Sequence, residues 1–221
     1  MLVALLSWST AGAAEPTPVF ATPSGPASLD EIPSAKREDV TRLLRKVRQR
    51  HGDDAMVIQT HLLLNAMQKG SVLATGVRVA DRVEEAFGKR YLGFEVETGL
   101  VFDDSTRDRA ARVQILWVTI MEPTLARLQD GLQVKAAEGM MVRLQSYHRP
   151  YRSADELRAS IERPGTSEDV RFYVLASDVD AIVRGEVTAK GLLGRIRTTV
   201  DGAEIAMAPP REDLVLTPGP E

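Results

Sequence analysis

The 221-residue chain contains no cysteine. That absence excludes disulfides, thiolate metal sites and thiol nucleophiles together, and with them an N-terminal lipid-anchored cysteine. Histidine is scarce. His51, His61 and His148 are the only three, and none forms a short-spaced ligand pair. A zinc site would need them to converge from distant elements with carboxylates assisting, so no metal and no cofactor is expected. An excess of one charge is missing too. The formal net charge is −3, with neither a basic nor an acidic tail. Nucleic acid is therefore not an expected partner, since its binders carry a basic footprint with interleaved aromatics. No apolar run reaches the roughly 20 residues that a membrane-spanning helix needs. The chain also lacks a phosphate loop, a dinucleotide fingerprint, a Gly-x-Ser-x-Gly elbow and a His-Glu-x-x-His pair.

What is present begins with a short apolar run, Leu2 to Trp8, followed by Ala11-Gly12-Ala13. Small residues flanking one position have the form of a signal-peptidase site. Residues 1–14 are accordingly expected to be a signal peptide, with the protein exported to the periplasm or secreted. No Lys or Arg precedes the run, a missing feature that an upstream start would supply. Residues 15–35 hold Pro16, Pro18, Pro23, Pro26 and Pro33 among Ser, Thr and Ala. Proline at that density prevents continuous helix or sheet, and the segment reads as a tether. Residues 209–221 hold Pro209, Pro210, Pro218 and Pro220 and read as a tail. One globular domain, 36–208, lies between them.

Val40, Leu43, Leu44 and Val47 have helical spacing, and Gly52 stops that helix. A second helix is expected from Asp53 to about Lys69 and a third near Val79 to Phe87. A strand follows at Phe94–Phe102, with Asp103-Asp104-Ser105 as the next helix start. Val113, Leu116, Trp117, Ile120, Met121, Leu125 and Leu128 keep three-and-four spacing, so one long helix, kinked by Pro123, is favoured over a strand at Val113–Met121. Further expectations are a strand at Met140–Tyr147 and a capped helix from Ser153 to Arg163. A central strand at Val170–Ala176 follows, then short helices at Ser177 and at Thr188–Arg195. The chain closes with a hairpin turning at Asp201-Gly202. The fold class is α+β (mixed α/β): N-terminal helices, then a β-α-β-α-β-α-β-β mixed sheet with a C-terminal hairpin.

The densest set of recognition groups is Tyr147-His148-Arg149-Pro150-Tyr151-Arg152, between a strand and a helix. Three parallel strands with right-handed crossovers would gather their C-terminal ends on one edge. Asp103, Asp104 and Ser105 would then meet His148 and Arg149, and also Ser177 and Asp178. Ligands of open α/β sheets bind at such an edge. The ligand-binding candidates are Asp103, Asp104, Tyr147, His148, Arg149 and Tyr151. The competing explanation is structural, because Asp104, Ser105, Ser153, Ser177 and Asp178 all stand where helix caps belong. With no identifiable catalytic set, the expectation is an exported, non-catalytic binding or envelope-associated accessory protein. Its partner would be a protein, a small molecule or an envelope component. The alternative is a secreted or periplasmic hydrolase using a Ser/His/Asp cluster at the strand ends. The basic stretch Arg42–Arg50 allows weak contact with an anionic surface.

Overall fold

The computed structural model describes residues 34–68, 77–126, 128, 132, 137–149 and 165–210. Helix α1 (Ser34–His51) buries Val40, Leu44 and Val47 along one stripe and turns Arg42, Arg45, Lys46, Arg48 and Arg50 to solvent. Gly52, at φ +98°, ends it with its N–H on the Arg48 carbonyl. Helix α2 (Asp53–Gln68) opens on Asp53 and Asp54, whose charge suits the positive end of the helix dipole. It is buried nearly all round from Ala55 to Leu64, because α1 packs on one side and the sheet with the later helices on the other.

The next segment corrects the sequence reading. Val79 to Phe87 is not a helix; β1 (Val77–Ala86) and β2 (Lys89–Asp103) form an antiparallel hairpin there. The Val79/Val83/Phe87 spacing of four is common to the helix and strand periods, so it could not separate them. The turn residues Phe87 and Gly88 both have positive φ, +52° and +72°, the signature of a type I′ turn. A bulky side chain in that conformation costs on the order of 1–3 kcal/mol. The ring offsets this by packing edge-on against Tyr173 at 5.1 Å and under the Arg197 guanidinium at 4.6 Å. Such contacts contribute roughly 0.5–1.5 kcal/mol each.

The favoured long helix forms as α3 (Arg109–Leu116), a π-helical stretch (Trp117–Met121) and α4 (Glu122–Leu125) in unbroken succession. Its start is Asp108, not Asp103 to Ser105, and the Asp108 carboxylate accepts from the Ala111 N–H at 2.8 Å. Pro123 would clash with the carbonyl four residues back in a regular helix. Here the preceding turn widens, the Glu122 N–H bonding the Trp117 carbonyl, and the chain passes the proline as a π-turn.

Strands β3 (Gly139–Arg149) and β4 (Thr166–Leu175) complete the centre of a sheet that has six strands among the described residues, in the order β1-β2-β3-β4-β5-β6. The β2–β3 pair is parallel, and all other neighbours are antiparallel. The mixed α+β class holds, whereas the three parallel strands assumed for the strand-end cluster do not, because β4 runs against β3. Gly165, just before β4, lies so close to the His148 carbonyl that any Cβ there would collide with it. Helix α5 (Ala176–Val183) follows, ended by Gly185 at φ +74°. The helical piece expected at Thr188–Arg195 shrinks to a 3₁₀ turn at Gly191–Gly194. Strands β5 (Arg197–Val200) and β6 (Ala203–Ile205) make the expected hairpin, with Asp201 at φ +50° and Gly202 at +82°. The expected helix Ser153–Arg163, Tyr151, residues 1–33 and residues 211–221 lie outside the described residues.

The sheet's two faces differ. Leu92, Phe94, Val142, Leu144, Val170, Phe172 and Val174 form the core with the helices, where Trp117 meets Phe172 edge-on at 5.1 Å. Tyr91, Met141 and Tyr173 form a smaller cluster on the other face. The sheet is curled toward that second face. Glu84 of β1 reaches Arg171 of β4 at 3.3 Å, although two strands stand between them.

Candidate functional site

The parallel pairing of β2 and β3 brings Phe102 opposite His148 and Asp103 opposite Arg149. Just beyond, the Asp104 N–H bonds the Arg149 carbonyl at 3.1 Å, which seats Asp104 at the end of β3. Its Oδ2 then lies 2.7 Å from His148 Nδ1. Its Oδ1 accepts from Arg112 Nη1 at 2.9 Å. Arg112 comes from α3 and makes a two-pronged contact with Glu168 of β4, Nε to Oε2 at 3.0 Å and Nη2 to Oε1 at 2.7 Å. Arg109 stands 3.6 Å from the same carboxylate. Four charged or ionisable side chains from a loop, a helix and two strands are thus joined as His148–Asp104–Arg112–Glu168.

Burial decides the character of this network. The Glu168 side chain is 0% exposed and that of Arg112 7%, against 20% for His148 and 30% for Asp104. It runs from a dry ion pair to a half-open histidine. The Glu168 hydrogen bond raises the Arg112 pKa above its ordinary value, outweighing burial, so the guanidinium stays charged. A forked guanidinium–carboxylate contact is the geometry that makes a buried pair tolerable.

Of the residues expected from sequence, Asp103, Asp104, His148 and Arg149 do come together. They do not share one face. His148 lies on the helix-covered side with Phe102, whereas Tyr147 and Arg149 lie on the sheet's other face, paired with Val101 and Asp103. Ser177 and Asp178 are at the opposite end, since β4 is antiparallel; the Asp178 carboxylate accepts from the Leu175 N–H at 2.8 Å and caps α5. Burial raises the Asp178 pKa, and that hydrogen bond only partly opposes it. Ser105 is near the cluster, but its hydroxyl donates to Asp103 Oδ1 at 2.7 Å, as does its N–H at 2.9 Å.

Arg112 and Glu168 were not anticipated. Glu168 could have been. It stands in step with Val170, Phe172 and Val174, so the strand alternation aims it at the core, where a carboxylate requires a cation. Among the described residues no group of three or more His, Asp or Glu side chains could hold a metal ion, and no helix is long and apolar enough to cross a membrane. No family model, curated protein or solved structure matches the chain.

Proposed function

We propose that the chain is an exported, non-catalytic domain that recognises a protein, small-molecule or envelope partner at the β2/β3 strand ends, through Asp103, Tyr147 and Arg149 on the face opposite the helices. The observation that carries this reading is how the polar groups there are engaged. Ser105 donates to Asp103, not to His148, and Asp104 is shared between His148 and the buried Arg112. A hydrolase would instead direct a hydroxyl at the imidazole. The test is co-sedimentation of the mature protein with an isolated cell-envelope fraction. Tyr147→Ala and Arg149→Ala should each weaken binding about tenfold while shifting stability by no more than ~0.5 kcal/mol. Equal binding by all three proteins would end the proposal. Export itself is checked by N-terminal sequencing of secreted material, with a mature start expected near Ala14 or Glu15.

One observation favours the hydrolase alternative. Asp104 Oδ2 stands 2.7 Å from His148 Nδ1, the carboxylate–imidazole contact that orients a general base in a triad. Turnover of a panel of p-nitrophenyl esters that disappears in His148→Gln would establish that reading over the first.

A further inference from the structure

The loop that joins β2 to α3 is held from the helix side by one buried guanidinium. Arg112 is nearly sealed, with Nε and Nη2 on the Glu168 carboxylate. Its third nitrogen, Nη1, reaches both limbs of the loop, Asp104 Oδ1 at 2.9 Å and the Arg107 carbonyl at 3.0 Å. The loop also closes on Asp103. The Asp103 carbonyl accepts from the Arg107 N–H at 3.0 Å and the Thr106 N–H at 3.3 Å, and its Oδ1 accepts twice from Ser105. The Asp104 N–H bonds the Arg149 carbonyl and ties the same loop to β3. Neighbouring residues therefore serve different faces. The Asp104 side chain turns toward α3, while Asp103, paired with Arg149, belongs to the face opposite the helices.

We propose that Arg112 is a positioning residue: anchored on buried Glu168, it sets the β2–α3 loop from the helix side and thereby places Asp103 and Arg149 on the other face. Glu168 is carried by a central strand, so the plane of the fork, and with it the direction of Nη1, is fixed by β4. Only a guanidinium can do this, because its donors are rigidly divided between two targets, whereas an ammonium is a point charge. The role also accounts for an ion pair in the core. Well-packed apolar side chains would stabilise about as well as a buried pair, but they offer no donor to a loop. His148 does not duplicate the function, since its contact with Asp104 is on the other oxygen, Oδ2. The inference rests on the recognition reading above for the use to which this placement is put.

The experiment measures backbone amide exchange by NMR on the full chain. Asp104→Ala removes one limb's acceptor and leaves the Arg112–Glu168 pair intact. The Ser105, Thr106 and Arg107 amides should then exchange at least about tenfold faster, the worth of one hydrogen bond to a charged group. Arg112→Lys keeps a charge for Glu168 without the fork and should loosen the same amides. If it fails to fold, Asp104→Ala still decides, since Asp104 is partly exposed. His148→Ala should leave the loop rates at their wild-type values. An Arg112 that only stabilises the core would speed the amides of Val142 and Val170, which report global opening, and leave the locally opening loop unchanged. That result would overturn the proposal, as would loop rates raised equally by His148→Ala. In co-sedimentation with the cell-envelope fraction, Asp104→Ala should bind about tenfold more weakly, because a loosened loop is no longer preorganised. Undiminished binding by a variant with a loosened loop would also overturn it. A wild type that does not bind would end the recognition reading alone, and the exchange rates would still decide whether Arg112 positions the loop.

Discussion

Glu168 and Arg112 are where single side chains matter most. Each is nearly sealed from water and satisfies the other twice. Removing one partner leaves a buried charge, which costs about 3–5 kcal/mol. Arg112→Ala is therefore expected to lower stability by about that much in urea unfolding, Arg109 at 3.6 Å being too exposed to replace it. His148→Ala should cost only about 1 kcal/mol, because Asp104 retains Arg112. Glu122 gives the opposite sign. Its Oε2 is buried with no hydrogen-bond partner among the described residues, and desolvation raises its pKa, with Lys190 opposing. Folding then favours the protonated form, so ionised Glu122 lowers stability at neutral pH and the loss is relieved as pH falls through the raised value. Glu122→Gln should thus stabilise at pH 7, and its advantage over wild type in thermal melts should shrink on acidification. An advantage that grows toward acid would contradict this. Asp104 and His148 were legible as neighbours because each sits at a strand end. Their link to Arg112 was not, since a helix-borne arginine reveals its target only once the helix is docked.

The two hairpins show how legibility varies between elements of one kind. Asp201-Gly202 carries the standard residues of its turn, and the β5–β6 register closes on Val200 and Ala203 as the alternation requires. Phe87-Gly88 adopts the same turn without its first residue, so β1 read as helix. Tertiary contacts with Tyr173 and Arg197 override the local preference there, and such contacts leave no mark in a ten-residue window. The π-turn before Pro123 is a milder case: the helix was readable from its periodicity, but how it passes the proline was not. At Gly202, φ +82° with open space around the Cβ position means that conformation, not crowding, decides the effect of substitution. Gly202→Val should lower stability by on the order of 1 kcal/mol or more, since β-branched residues resist positive φ. Gly202→Asn should be nearly neutral. Equal melting temperatures for the two variants would show that backbone conformation is not what matters at this turn.

At the scale of the whole molecule, one antiparallel pairing redirects the chemistry. With β4 reversed, the third strand delivers Glu168 to the Asp104 end and removes Ser177 and Asp178 to the other. The residue pattern of a strand does not by itself encode its direction, because parallel and antiparallel pairing use the same alternation. Charge is organised at the same scale. Helix α1 holds seven Lys and Arg against two acidic residues, in a chain whose net charge is −3, so the rest of the molecule is acidic. Ion pairs to Glu38, Asp39 and Asp53 temper this charge without cancelling it. Because α1 packs on α2 and α2 on the sheet, α1 is an outer layer. Helix layers are about 8–10 Å apart, close to the screening length of roughly 8 Å at physiological salt. An anionic surface touching α1 would feel its charge more than the acidic body behind. The apolar stripe of α1 is already buried by Val40, Leu44 and Val47, which leaves no face to insert into a bilayer. Contact through Arg42–Arg50 is therefore expected to be electrostatic and peripheral. The protein should co-sediment with phosphatidylglycerol vesicles at ~0.01 M salt, where the screening length is about 30 Å, and be released near ~0.15 M. Arg45→Glu combined with Lys46→Glu should abolish the low-salt binding while leaving stability within about 0.5 kcal/mol. Retention at high salt would mean that an apolar surface is engaged instead, and no binding at low salt would remove the anionic-surface role from α1 altogether.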